Sequence, residues 1–204
     1  MNIMIISGSH RQNSQSTKIA VAVNQALSAL PGCDHSEIFD LANNPLPLWD
    51  ESIWSGDAEW QERLAPISDR LAKSDAFVII APEWHGMAPA GLKNFFLMWG
   101  NGELAHKPAF IITVSSADGG SYPVAELRMS SYKNNRICFL PEHLIIRFVE
   151  TVFNDNPSEN KASAQEYFED RMGYGLQQLI AYGEGFKKIR SSGTVSLETY
   201  SSGM

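Results

Sequence analysis

The sequence predicts a doubly wound α/β domain, a parallel sheet covered by helices on both faces, and three observations carry that expectation. Three short apolar runs, Ile3 to Ile6, Phe77 to Ala81 and Phe110 to Val114, are rich in β-branched residues and close on polar or turn-forming residues, as strands buried on both faces do. Between them the apolar period becomes helical: Ile19, Val23, Leu27 and Leu30 line one helix face, and Leu92, Phe95, Phe96 and Trp99 another. The chain has 204 residues, enough to bury the two-sided core that such a sheet requires.

Taken in order, the first strand runs into the polar loop Gly8 to Ser16 and then into the first helix. A weaker strand follows at Ser36 to Leu41. The segment Ala42 to Asp57, with Pro45, Pro47, Trp49 and Trp54, fits neither period, so it reads as a surface excursion whose tryptophans need cover, a hint of a subunit interface. Asp57 is placed to cap a helix over Trp60 to Lys73. After the third and fourth strands, Val124 to Lys133 reads as a helix and Leu144 to Val149 as the fifth strand. Beyond Asn154-Asp155-Asn156-Pro157, Ser163 and Glu166 have capping-box spacing for a last helix, which Gly173, Gly175, Gly183 and Gly185 either weaken or pack closely. One domain over residues 1–190 is expected, followed by a Ser- and Gly-rich tail, 191–204, with mobile ends.

Composition narrows the function. A hydrophobic fraction of 44% with 19% charged residues belongs to a globular chain rather than a disordered one. The net charge of -7 argues against nucleic acid or an anionic membrane as the main partner. The apolar start lacks the length and basic flank of a signal peptide, and no run is long enough to span a bilayer, so a cytoplasmic setting is expected. Cys33 and Cys138 match neither a redox nor a zinc spacing and read as free thiols, Cys138 as a small buried residue. The five histidines show no metal-ligand spacing, and the methionines read as core filler.

The loop after the first strand of an open α/β sheet is the usual place for a phosphate. Here Gly8 frees the backbone, Ser9, Ser14, Ser16 and Thr17 offer hydroxyls beside the amides of a helix start, and Arg11 offers a two-pronged guanidinium. The same residues also serve a loop that merely caps a helix; the place after strand one favours phosphate. Neither a P-loop nor a Gly-x-Gly-x-x-Gly fingerprint is present, which lowers nucleoside-triphosphate chemistry and a standard NAD site. After the third strand, Pro82-Glu83-Trp84-His85-Gly86-Met87 suits a flat ring lying against backbone. Glu83 is alternatively a loop anchor and His85 a loop residue satisfied by backbone or water. After the fourth strand, Ser115 to Ser121 contains Gly119 and Gly120 and again admits close approach to the main chain.

Three motifs in order resemble the NADPH-dependent FMN reductase family, which includes flavodoxin-like quinone, azo and chromate reductases. Gly8, Ser9, Arg11 and Ser14 match its Gly-Ser-x-Arg-x-x-Ser loop; Pro82 and Glu83 match its Pro-Glu-Tyr-Asn; Pro89, Leu92, Lys93 and Asn94 match the segment after it. Ser115, Gly119-Gly120 and Leu127-Arg128 resemble its third loop and following helix. Trp84 and His85 depart from the family's Tyr-Asn, Ala90 precedes Gly91 where the family has Pro-Gly, and Met98 stands where Asp is common.

The resemblance implies a flavodoxin-like five-stranded parallel sheet of order 2-1-3-4-5. It also implies FMN as cofactor, NADPH or NADH as hydride donor, and a small acceptor such as a quinone, azo compound, metal oxyanion or free flavin. The implied cofactor-binding residues are Ser9, Arg11, Ser14, Gln15, Ser16, Pro82, Glu83, Trp84, His85, Gly86, Met87, Ser115, Gly119 and Gly120, with no catalytic acid or base. A homodimer or homotetramer is implied as well. The alternative is an FMN-binding electron carrier, sensor or interaction module without significant turnover.

Overall fold

The computed structural model describes residues 1–203. Five strands form one parallel sheet in the order β2-β1-β3-β4-β5: β1 (Asn2–Ser7), β2 (His35–Asp40), β3 (Ala76–Pro82), β4 (Pro108–Val114) and β5 (Cys138–Ile146). The crossovers are α1 (Gln15–Ser28), α2 (Ala58–Lys73), α3 (Ala90–Met98) and α4 (Ser121–Ser130), and α5 (Ala162–Ser191) follows β5. Alternation along β1 sets the two layers. Met4 and Ile6 face a core built with α2, α3 and α4, while Ile3 and Ile5 face one built with α1 and α5. β3 and β4 are buried at every residue, which is why they read as unbroken apolar runs.

The edge strand departs most from the sequence reading. β5 begins at Cys138, well before the expected Leu144, because a bulge hides its continuity. Ala109 pairs with Phe139 and Ile111 with His143, so Pro141 and Glu142 drop out of the ladder where a proline costs no hydrogen bond. Cys138 is consequently half-buried rather than buried, and burial pushes its thiol pKa up. Among the methionines, Met87 and Met129 are exposed and fill no core.

Helix ends also move. α4 starts and stops three residues earlier than expected, directly after Gly120 in a left-handed conformation (φ +105°). α5 is preceded by Lys161, which makes no side-chain cap, and Ser163 lies inside the helix, so the expected capping box does not open it. Asp57 does cap α2, its carboxylate accepting the Glu59 and Trp60 amides. The Ala42 to Asp57 excursion contains only a short 3-10 turn at Glu51–Ile53; there Trp54 is exposed and its ring meets Trp49 edge to face at 4.6 Å. Residues after α5 turn back over the turns near 102 and 134, with Gly203 donating to Asn134; Met204 lies outside the described residues. No helix among the described residues is long and apolar enough to cross a membrane.

Two glycines bring α5 against the sheet. A Cβ on Gly175 would lie 2.3 Å from Phe110, and one on Gly183 would lie 2.5 Å from Met1, whereas Gly173 and Gly185 face open space. Gly175→Ala is expected to destabilise the protein by about 1–3 kcal/mol through overpacking. Gly173→Ala should instead stabilise it by about 0.5–1 kcal/mol through helix propensity. Urea unfolding of the two variants checks both signs.

Candidate functional site

The loops that leave β1, β3 and β4 at their carboxyl ends meet in one place. The first begins with an enforced glycine: the Gly8 amide donates to the Ile80 carbonyl at 2.8 Å, and a Cβ on Gly8 would stand 2.6 Å from that oxygen. Ser9 is buried and its hydroxyl accepts the Arg11 amide at 3.2 Å. Ser14 caps α1, accepting the Thr17 amide at 3.1 Å and sharing a 2.9 Å contact with the Thr17 hydroxyl. That hydroxyl donates onward to the buried Asp40 carboxylate at 3.3 Å. Ser14 and Thr17 are therefore turned into the protein.

Two neighbouring polar groups are different. Gln15 Oε1 and Ser16 Oγ are buried yet have no partner in the chain, and they sit beside first-turn amides that no helix can satisfy internally. The Arg11 side chain is exposed and free of any ion pair among the described residues. Uncommitted polar groups, a helix start and a guanidinium thus converge where the sequence placed a phosphate.

The second loop is a tight turn. Trp84 and Met87 exchange amide-to-carbonyl bonds of 3.0 Å each, and the two residues between them, His85 (φ 50°) and Gly86 (φ 72°), are both left-handed, the geometry of a type I′ turn. Pro82 ends β3 and is buried. The Trp84 ring meets His10 of the first loop edge to face, with centroids 4.7 Å apart. Gly91 makes room, since a Cβ there would come within 3.0 Å of the His10 ring.

Glu83 ties this loop to the third. Its carboxylate accepts the Gly120 amide, and a Cβ on Gly119 would lie 2.8 Å from Glu83 Oε1, so a glycine is needed for the approach. Thr113 fixes Gly120 from below by donating to its carbonyl at 2.7 Å, and Ser115 holds its own loop by accepting the Ala117 amide at 3.2 Å. From beyond β5, Arg147 clamps the same loop by donating to the Asp118 carbonyl at 2.7 Å. Lys18 of α1 holds the following segment, donating to the Val149 and Val152 carbonyls and to Asn154, each at 2.8 Å; burial lowers its pKa.

The resulting cleft has a volume of about 480 Å³ and is lined by His10, Arg11, Glu83, Trp84 and His85. Four of these were singled out in the sequence; His10, at the variable position between Ser9 and Arg11, was not, and only its contact with Trp84 reveals it. Ser9 precedes and Ser14, Gln15 and Ser16 form the start of α1 without lining the cleft, Gly86 and Met87 complete the turn, and Ser115, Gly119 and Gly120 stand behind Glu83 rather than lining the space. Lys18 and Arg147 were also missed, because each acts through backbone carbonyls and leaves no motif. No group of three or more potential metal ligands occurs among the described residues.

The chain is 30% identical over 125 residues to an NAD(P)H-dependent FMN reductase of Schizosaccharomyces pombe, an alignment that covers 58% of this chain and spans only 60% of that relative. The fold is similar to that of FerB, a flavoenzyme NAD(P)H:(acceptor) oxidoreductase from Paracoccus denitrificans, with TM-score 0.68 at 21% identity over 91% of this chain and 98% of the other. It is similar also to an NAD(P)H:quinone oxidoreductase from Methanothermobacter marburgensis, with TM-score 0.57 at 17% identity over 85% and 96% of the two chains. Residues 1–150 match the family described as NADPH-dependent FMN reductase, and the chain belongs to that family.

Proposed function

We propose that the cleft holds FMN and that the protein is an NAD(P)H-dependent oxidoreductase passing electrons to a small acceptor. The observation that carries the reading is the buried, unpartnered Ser16 hydroxyl, which can donate to a phosphate, beside the free Arg11 guanidinium at the start of α1. A buried polar atom without a partner costs about 1–3 kcal/mol, which a phosphate at this place would remove. Arg11, Gln15, Ser16 and the first-turn amides hold the phosphate. Ser9 and Ser14 shape the loop around it.

Pro82 to Met87 would hold the isoalloxazine ring, with Trp84 as its aromatic neighbour, and Ser115, Gly119 and Gly120 would leave the backbone behind Glu83 open to close approach. FMN, when bound, would supply the two-electron redox chemistry between NADH or NADPH and the acceptor. The chain's share is binding, orientation and shielding, and no side chain in the cleft is required as an acid or base. The acceptors expected are quinones, azo compounds, metal oxyanions and free flavin, and the setting is the cytoplasm. Residues 1–190 act as one FMN-binding domain with 191–204 as its tail.

Steady oxidation of NADH or NADPH on addition of FMN and a quinone tests the activity. Retention of FMN with negligible turnover would instead make the protein an electron carrier, sensor or interaction module. Arg11→Ala tests the phosphate contact: FMN affinity should fall about 10- to 100-fold, as expected for a charge-assisted bond, while riboflavin affinity changes little. The flavin-free melting temperature should hardly move, because the guanidinium has no partner to lose. Fluorescence titration of both flavins reads the difference, and equal loss for both rejects the phosphate assignment.

The protein assembles as a homodimer or homotetramer through its apolar surface. Along α3 and α4, which the Lys93–Glu126 ion pair (2.9 Å) holds side by side, Leu97 and Met129 are exposed, and Leu48 and Trp54 of the excursion are exposed as well. Light scattering at micromolar concentration should give a multiple of the 22.6 kDa chain mass. The double variant Leu97→Glu, Met129→Glu should shift it toward monomer, and a monomeric wild type would overturn the assembly.

A further inference from the structure

The cleft contains one acid, and that acid is spoken for. Glu83 accepts the Gly120 amide, and its other oxygen packs where Gly119 leaves space, so its charge is directed into the third loop. Every other lining side chain carries N–H groups: His10, Arg11, Trp84 and His85. Among the described residues none of these four side chains makes a hydrogen bond or ion pair within the chain. An imidazole offers at least one N–H whether neutral or charged, so a donor is present in either protonation state. The chain as a whole carries -7, which makes this a local exception on an acidic surface.

Both imidazoles are held in place. His10 is fixed by its edge-to-face contact with Trp84 at an interplanar angle of 83° and by the space over Gly91. His85 stands at the tip of a turn whose left-handed backbone and reciprocal Trp84–Met87 bonds restrict it. With Arg11 on the cofactor phosphate, the exposed imidazoles of His10 and His85 keep N–H groups open to solvent and to an incoming acceptor. A neutral ring meets them with ordinary hydrogen bonds; one bearing a carboxylate or sulfonate meets them with stronger, charge-assisted bonds.

We propose that His10 and His85 form an anion-selecting rim, so that the site takes planar acceptors carrying a carboxylate or sulfonate in preference to neutral acceptors of the same ring. This rests on the FMN reading above and adds the substrate class.

The test uses protein saturated with FMN and two inert probes of equal shape, naphthalene-2-sulfonate and the uncharged naphthalene-2-sulfonamide, with binding followed by the flavin absorbance. The sulfonate should bind about tenfold more tightly than the sulfonamide, the value of one charge-assisted hydrogen bond, and the preference should shrink with added salt. His85→Asn keeps a residue that tolerates the left-handed backbone, and His10→Phe keeps a ring against Trp84. Each should cut the sulfonate-to-sulfonamide ratio to about threefold or less, and the double variant should abolish it. A second readout is the ratio of kcat/KM for 1,4-naphthoquinone-2-sulfonate and 1,4-naphthoquinone, compared between variant and wild type so that intrinsic reactivity cancels. Equal binding of both probes to the wild type overturns the rim, as does an unchanged ratio in both variants. The wild-type ratio decides alone where a variant fails to fold. Failure of the wild type to bind FMN at all overturns the functional reading and the rim together, whereas FMN binding with no discrimination overturns the rim only.

Discussion

The character of the cleft depends on where one carboxylate points. Glu83 leaves the end of β3 and reaches the Gly120 amide at the start of α4, and by doing so joins two loops and commits one oxygen of the cleft's acid to the third loop. Gly119 is what permits it, since any Cβ there would collide with the carboxylate. The left-handed Gly120 is likewise confined, because a Cβ would lie 2.4 Å from Ile145. With the carboxylate anchored, each of the remaining lining side chains still carries an N–H donor.

A second division separates the hydroxyls of the first loop. Asp40 accepts the Ala42 amide and the Asn43 side chain as well as the Thr17 hydroxyl, so both of its oxygens take protons from neighbours. Thr17 spends its proton on Asp40 and is left to accept, and Ser14 caps the helix through the Thr17 amide. These groups give the loop its shape. Ser16, with its hydroxyl buried and unpaired, is left with capacity to spare. Residues of one type at neighbouring positions therefore have different work, and the difference lies in the direction of their hydrogen bonds.

That distinction marks what a linear reading can recover. The central strands, the order of βα units and the loop between β1 and α1 were legible because each depends on local pattern: apolar runs for β1, β3 and β4, helical spacing for α1 and α3, a glycine and serines before a helix start. The edge strand β5 was misplaced because its bulge interrupts the pattern, and the start of α5 was misplaced because a plausible cap spacing at Ser163 was not used. Within the site, Arg11, Trp84 and His85 stood out by type and place. His10, Lys18 and Arg147 did not, because their partners are a ring or backbone carbonyls far away in sequence. Only the fold brings those partners within reach.

Both ends of the sheet spend basic side chains on backbone carbonyls, as Lys18 and Arg147 do at the carboxyl end, but that end also keeps basic groups without partners. At the amino end, Lys107 is buried and donates to the Leu71, Ala72 and Glu103 carbonyls at 2.7–2.9 Å, although burial draws its pKa down to about 8. Nearby Lys187 and Arg190 pair with Asp75, and Arg70 pairs with Glu37. Two of the Lys107 acceptors are carbonyls in the last turn of α2, groups that a helix cannot satisfy itself. Those cations are consumed in closing the fold. At the carboxyl end, Arg11, His10 and His85 have no such partners, even though the chain holds more acids than bases. All three are exposed, so water solvates them in the free protein and they stay available to a ligand that supplies acceptors. The first turn of α1 adds its amides to the same side, and the sheet carries all of these groups toward one edge.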